Sequence, residues 1–201
     1  MKYKHQKEYA INIAGLKRRL PIVEIEKDKL WIASFVMLGD TELNYNCAKE
    51  LIKKFPDSNF DYLIVPEAKA IPLAQLICQL LGEDSPKHEF KDYIVLRKSV
   101  KAYMDSPLIT KVKSITTDKE QTMVINGRDA VRISGKSVCT IDDVVSTGES
   151  YRAMINLVRN SGADISFAAA VLREGEFDIS DIELDIGRKL IFLGNIPIFK
   201  K

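Results

Sequence analysis

An α/β fold built on a parallel sheet, covered on both faces, follows from three features of the 201-residue sequence. Short β-branched and aliphatic runs alternate with segments whose apolar residues recur at helical spacing. The strand runs are apolar at consecutive positions, as in strands buried on both faces. One such run ends in adjacent carboxylates and a loop of small residues that opens a helix, and ligands of parallel sheets sit at the carboxyl ends of the strands.

The elements follow in order. Residues 1–40 mix short apolar runs with charges, and LWIASFVML at 30–38 reads as a buried strand pair or hairpin. Over 42–55, Leu43, Cys47, Leu51, Ile52 and Phe55 fall at helical spacing, and Pro56, Asp57, Ser58 and Asn59 break that helix. Tyr62-Leu63-Ile64-Val65 is a short strand. Residues 71–81 form a helix with Pro72 near its start, Leu73, Leu76, Ile77 and Leu80 on one face, and Gly82 as its stop. Residues 93–96 and 137–141 are strands, and 149–159 is a helix carrying Tyr151, Met154, Leu157 and Val158 that Gly162 closes. Residues 167–172 and 190–193 are further strands. There is no internal repeat. The stretch 98–122 breaks the rhythm, because unstructured loops beyond about 12–15 residues are uncommon. It carries Lys98, Lys101, Lys111, Lys113 and Lys119 against Asp105, Asp118 and Glu120. It reads as a solvated surface excursion or as a mobile basic lid. Met123-Val124-Ile125 and Val131-Arg132-Ile133, flanking Asn126-Gly127, look like the arms of a hairpin.

Composition excludes several classes. With 46% hydrophobic and 29% charged residues the chain is not disordered, and a net charge of +2 rules out a global polyanion-binding field. No nucleic-acid partner is expected. Cys47, Cys78 and Cys139 are isolated, and His5 and His88 lack ligand spacing, so neither a disulfide framework nor a metal knuckle is expected. No apolar run approaches the roughly 20 residues of a membrane span, and no apolar stretch follows the basic N-terminus. A cytoplasmic protein with no membrane partner is the expectation.

SVCTIDDVVSTGES, residues 137–150, carries the chemistry. The N–H groups that open a helix form an anion cradle, which the helix dipole strengthens. Ser146, Thr147 and Ser150 add hydroxyl donors. Two carboxylates beside an anion site suit a ligand with both hydroxyls and a phosphate, that is, a sugar phosphate. An ordinary Asp/Ser-capped turn explains Ser146 or Thr147. It does not explain two repelling acids at the end of an apolar strand. Neither GxGxxG nor GxxxxGK[ST] occurs among the ten glycines.

TIDDVVSTGES closely resembles the ribose-phosphate loop of the type I phosphoribosyltransferases. IVPEAKAIPLAQLICQLLG at 64–82 resembles the family's pyrophosphate loop and following helix, as in adenine and xanthine phosphoribosyltransferases. YIVLRKSVKAYM at 93–104 resembles the strand that leads into the flexible loop. SFVMLGD at 34–40 and the C-terminal LIFLGNIPIFKK resemble the base-site segment and the last strand and tail of the purine branch. The resemblance implies the type I fold as a single domain. Its parts would be a small hood from residues 1–58, a core at 59–175, and a C-terminal strand and tail at 176–201, with a long flexible loop.

It also implies roles. Asp142 and Asp143 would bind the ribose hydroxyls and position magnesium indirectly, mostly through substrate. Val145, Ser146, Thr147, Gly148, Glu149 and Ser150 would hold the 5′-phosphate, with the Glu149 carboxylate turned outward. Glu67, Ala68, Lys69 and Ala70 would hold pyrophosphate. Lys69 and Ala70 stand where the adenine branch usually has Arg and Gly. Arg97, Lys98 and Lys101 would meet the departing pyrophosphate. Phe35, with Trp31 and Met37, would wall the base pocket or pack as a core stripe. Arg173 and Glu174 would face the base or form an ordinary turn. The implied protein is a magnesium-dependent homodimer that transfers phosphoribosyl from phosphoribosyl pyrophosphate to a purine. Adenine leads, with xanthine or hypoxanthine/guanine next. A phosphoribosyl-pyrophosphate-sensing regulator without turnover is the rival from another class.

Overall fold

A computed structural model describes residues 1–56, 59–87, 89–113 and 120–201. Asp57, Ser58 and His88 lie outside the described residues, as do 114–119 with Asp118 and Lys119 of the expected lid.

The N-terminal residues form a hairpin that the apolar count hides. β1 (Glu8–Ile13) and β2 (Leu16–Glu26) pair antiparallel across Ala14 and Gly15. Both turn residues have positive φ, 50° and 78°, which gives the turn the twist that a two-residue hairpin needs. β3 (Leu30–Ala33) pairs with β2. The expected strand pair at 30–38 therefore stops at Ala33. The chain then runs as a loop through Gly39, at φ 82°, to Asp40, whose side chain accepts from the Leu43 N–H and caps the next helix. Arg18 of β2 holds that cap at 2.7 Å and keeps its carboxyl below the usual range.

α1 (Thr41–Lys54) turns Leu43, Cys47, Ala48 and Leu51 into the core. β4 (Tyr62–Pro66), α2 (Ile71–Glu83) and β5 (Asp92–Leu96) match the alternation of the sequence. The stretch after β5 is not a bare loop, because β6 (Leu108–Lys113) and β7 (Glu120–Ile125) pair antiparallel. The hairpin expected around Asn126-Gly127 is corrected. Residues 131–133 lie in α3 (Gly127–Ile133), a helix whose N-cap Asn126 has φ −63°. A two-residue hairpin turn of either favoured type needs positive φ at its first central residue, and Asn126 does not supply it. Ala130 and Ile133, three apart, are buried as one helical face.

β8 (Ser137–Val145), α4 (Glu149–Asn160), β9 (Asp164–Glu174), α5 (Ser180–Ile186), β10 (Ile191–Ile196) and β11 (Ile198–Lys200) complete the chain. The main sheet runs β10-β9-β8-β4-β5, and every pair in it is parallel. A second sheet, β1-β2-β3-β11, joins the two ends of the chain. One core cluster packs α1, α2 and this second sheet against one face of the main sheet, and the other packs α3, α4 and α5 on the opposite face. Helices on both faces explain why β4 reads as an apolar run and why β8 is buried at consecutive positions. From β4 the chain turns outward to β5, then returns to β8 on β4's other side. The carboxyl ends of β4 and β8 thus flank the topological switch point, where such sheets bind ligands.

Candidate active site

Asp142 and Asp143 sit near the carboxyl end of β8 and are 7% and 6% exposed. The Asp143 N–H donates to Asp142 Oδ1 at 2.8 Å. Burial, and then the Asp143 charge, push the Asp142 carboxyl well above its ordinary range. Lys69, from the turn after β4, places Nζ 3.2 Å from Asp143 Oδ2. That oxygen is buried and has no hydrogen-bond partner. Lys69 and the acid pair, 73 to 74 positions apart in sequence by their residue numbers, therefore meet across the switch point.

The loop 146–150 follows β8 directly. Gly148, at φ 83°, is the N-cap of α4 and brings no side chain of its own to cap that helix end. Its first N–H groups lack intrahelical partners and carry the positive end of the dipole. Arg152, one turn on, donates to the Thr147 carbonyl at 2.7 Å and grips Asp181 of α5 at 2.6 and 2.8 Å. The loop is thereby tied to a second helix. A Cβ at Gly148 would come 2.5 Å from Ile182 Cδ1, so the glycine also lets α5 approach. Glu149 does not face solvent as expected. It is 6% exposed, in the first turn of α4, and its charge acts on Arg152. A helix N-terminus stabilises a carboxylate there, which the reading of a lone acid among phosphate donors left out.

In the turn after β4, Glu67 pairs with Arg97 at 2.9 Å and accepts the Lys98 N–H at 2.5 Å. The Glu67–Ala68 peptide is cis. Ala70 caps α2 with φ −90° and is buried, so the position does not need the freedom of a glycine. Arg97 exchanges backbone hydrogen bonds with Val124 of β7, which ties the start of the basic stretch to the β6–β7 ribbon. Lys101 donates to Ser99 within its own loop. The structure thus brings Glu67, Lys69, Arg97, Asp142 and Asp143 to one rim and leaves Lys101 among its neighbours.

Of the residues expected to face a base, Phe35 is buried with Trp31 and Met37 in the core, the packing reading of that stripe. Arg173, at the end of β9, donates to the Phe177 carbonyl at 2.8 Å and lines an open groove with Lys54 and residues 190–195. Glu174 is 9% exposed, and the Ser146 hydroxyl donates to it. Burial raises its carboxyl above the ordinary value, while Ser146 and Lys69 pull it down. Arg152 is a site residue that sequence reading missed. Its spacing from Gly148 along one helical turn was the available signal. Among the described residues no group of three or more His, Cys, Asp or Glu could hold a metal ion unaided.

No protein-family model matches the chain. A hypoxanthine/guanine phosphoribosyltransferase of Methanothermus fervidus is 30% identical over 163 residues, which cover 81% of this chain and 78% of that protein. An adenine phosphoribosyltransferase of Thermoanaerobacter pseudethanolicus shares the fold with a TM-score of 0.65 at 22% identity, over 79% of this chain and 84% of that one. A second, from Rhodothermus marinus, aligns over 94% of both chains with a TM-score of 0.60 at 16% identity.

Proposed function

Because this chain belongs to the purine branch of the type I phosphoribosyltransferase family, we propose that it takes a 6-oxopurine, hypoxanthine or guanine, as its base and phosphoribosyl pyrophosphate as its sugar donor. The relative that is 30% identical and carries that name supports the base. Adenine is the second reading, on the likeness of residues 64–82 to the adenine branch.

The observation that carries the chemistry is the acid pair beside Lys69, next to a helix start whose N-cap is a left-handed glycine. In this reading the N–H groups of 147–150 bind the 5′-phosphate, and Asp142 and Asp143 accept the ribose hydroxyls. Lys69, Arg97 and the turn 67–70 meet the diphosphate. As the purine nitrogen displaces diphosphate at C1′, the sugar gains positive character, and the fixed negative charge beneath it favours that state. Cationic side chains on the far side stabilise the leaving oxygens. Magnesium is consistent with this donor set, since it keeps several waters and binds through one or two carboxylates plus substrate phosphates. Asp142 and Asp143 would position it chiefly through the substrate's oxygens, and it would supply charge neutralisation for the leaving diphosphate. A cytoplasmic homodimer completes the proposal. Among the described residues no helix is long and apolar enough to cross a membrane.

The test is pyrophosphate release from phosphoribosyl pyrophosphate and magnesium with hypoxanthine, guanine, xanthine and adenine in parallel. Hypoxanthine and guanine are expected to be turned over fastest. Preference for adenine would move the protein to the second reading. Light scattering checks the dimer.

A further inference from the structure

We propose that Glu174, acting through the Ser146 hydroxyl, is the positioning residue that takes up the proton the purine nitrogen loses when it bonds to the sugar. The proposal rests on the phosphoribosyl-transfer reading above.

Four carboxylates are buried among the described residues, namely Asp142, Asp143, Glu149 and Glu174. The first two serve the sugar, and Glu149 sits in the first turn of α4 with its charge on Arg152. Glu174 is left without a task, and a buried carboxylate is costly to keep unless it is hydrogen-bonded or paired. Its place is specific. Parallel pairing of β8 and β9 sets Val145 opposite Arg173, so the next residues, Ser146 and Glu174, stand level at the rim. Ser146 opens the phosphate loop, and Arg173 lines the groove on the base side. The pair thus lies between the sugar-phosphate cradle and the place a base would occupy.

The reaction needs a proton acceptor there. A purine nitrogen that carries hydrogen cannot bond to C1′ and stay neutral unless the proton leaves. A serine hydroxyl alone is a poor acceptor, but it can take a proton as it passes its own to a carboxylate. The electrons of the N–H bond stay with the purine as the N–C1′ bond forms. The C1′–O bond breaks, and its pair leaves with diphosphate. The purine proton goes to Ser146 Oγ, and the Ser146 proton goes to Glu174, which ends neutral. The charges that act on Glu174 are Lys69, which favours the anion, and Asp143, which opposes it. Burial lifts its carboxyl above the ordinary value, toward the range where a base works near neutral pH.

Glu174→Gln keeps the volume and an acceptor for Ser146 but cannot take the proton. We expect kcat to fall by about 100-fold, a size usual for a lost proton acceptor. KM for phosphoribosyl pyrophosphate should stay within about threefold, since the sugar contacts survive and threefold is well under 1.4 kcal/mol. The acidic limb of the kcat–pH profile should flatten. Glu174→Asp should restore part of kcat, Ser146→Ala should reproduce the loss, and the double variant should be no slower than either. Thermal melting checks the fold, and if Glu174→Gln does not fold, Ser146→Ala carries the same expectation. A Glu174→Gln enzyme with parental kcat, a loss confined to KM, or an unmoved acidic limb overturns the proposal while the functional reading stands. A parent inactive with all four purines overturns both.

Discussion

The two loops that flank the switch point are built by different means. The loop 146–150 is shaped by backbone and packing: a left-handed glycine at the N-cap of α4, and Arg152 bracing it to α5. The turn 67–70 is held by charge. Lys69 pairs with Asp143, and Glu67 pairs with Arg97. In the proposed reaction the first loop would take its anion without exchanging ion pairs. In the proposed reaction the second would exchange protein partners for ligand partners, because Lys69 and Arg97 are engaged by Asp143 and Glu67. The acid pair stands between them and belongs to both.

The largest effect should come where the two regions meet. Replacing Asp142 and Asp143 together with Asn should lower kcat by more than about 1,000-fold, as the loss of a fixed transition-state charge does, while circular dichroism stays native. The same acids link pH to stability. Asp142 is held above its ordinary value of 3.8 by burial, so its neutral form is the one the fold prefers. Its contribution is present at low pH and is lost as pH rises through the folded value. Asp142→Asn should therefore melt above the parent at pH 7 to 8, with the gap closing toward pH 4. A gap that widens on acidification would contradict the burial argument.

Next in size is Gly148→Val. A β-branched residue at φ 83°, with its Cβ 2.5 Å from Ile182 Cδ1, should destabilise by about 2–3 kcal/mol. Melting should drop by several degrees, at about 2–4 °C per kcal/mol for a chain of this size. The loop is thus one with the core, and an unchanged melting temperature would show that it is not.

Arg152→Ala sharpens the comparison from the other direction. The guanidinium of Arg152 donates to the loop at the Thr147 carbonyl. Its removal should raise KM for phosphoribosyl pyrophosphate about tenfold, equivalent to one charge-assisted hydrogen bond of about 1.4 kcal/mol, with kcat nearly unchanged. Asp181→Ala should do much the same, and the double variant should add little. Equal losses in KM and kcat would place Arg152 in the chemistry.

The smallest effect is expected at the charge-held turn. The Lys69 side chain is 48% exposed, so Lys69→Met should change stability by less than about 1 kcal/mol. Its effect on diphosphate affinity should be larger than on stability and should shrink with added salt. Salt-independent binding in both parent and variant would remove the distinction between the two loops.

How much of this was legible in the sequence differs by element. β4, α2, β5, β8 and α4 were plain, because each carries its own period and its own breakers, as Pro72 and Gly162 do. The Asp pair and the small-residue loop were equally plain, since strand, acids and cradle are contiguous. The β1–β2 hairpin was not. Half of its side chains face solvent, so its apolar residues are diluted by Lys17, Arg18 and Arg19. The Asn126-Gly127 pair misled for a related reason: the dipeptide favours a tight turn, yet packing of Ala130 and Ile133 made it a helix start.

By itself, then, the sequence determined the alternating α/β architecture and the local machinery of the β8 rim, because both depend on residues a few positions apart. Tertiary structure decided what meets that rim. Lys69 reaches Asp143, Glu174 reaches Ser146, and Arg152 reaches Asp181 only because parallel strands and crossing helices bring distant segments level. It also turned Glu149 inward and gave Phe35 to the core. Burial and pairing are properties of neighbours in space, and no spacing along one chain encodes which neighbours those will be.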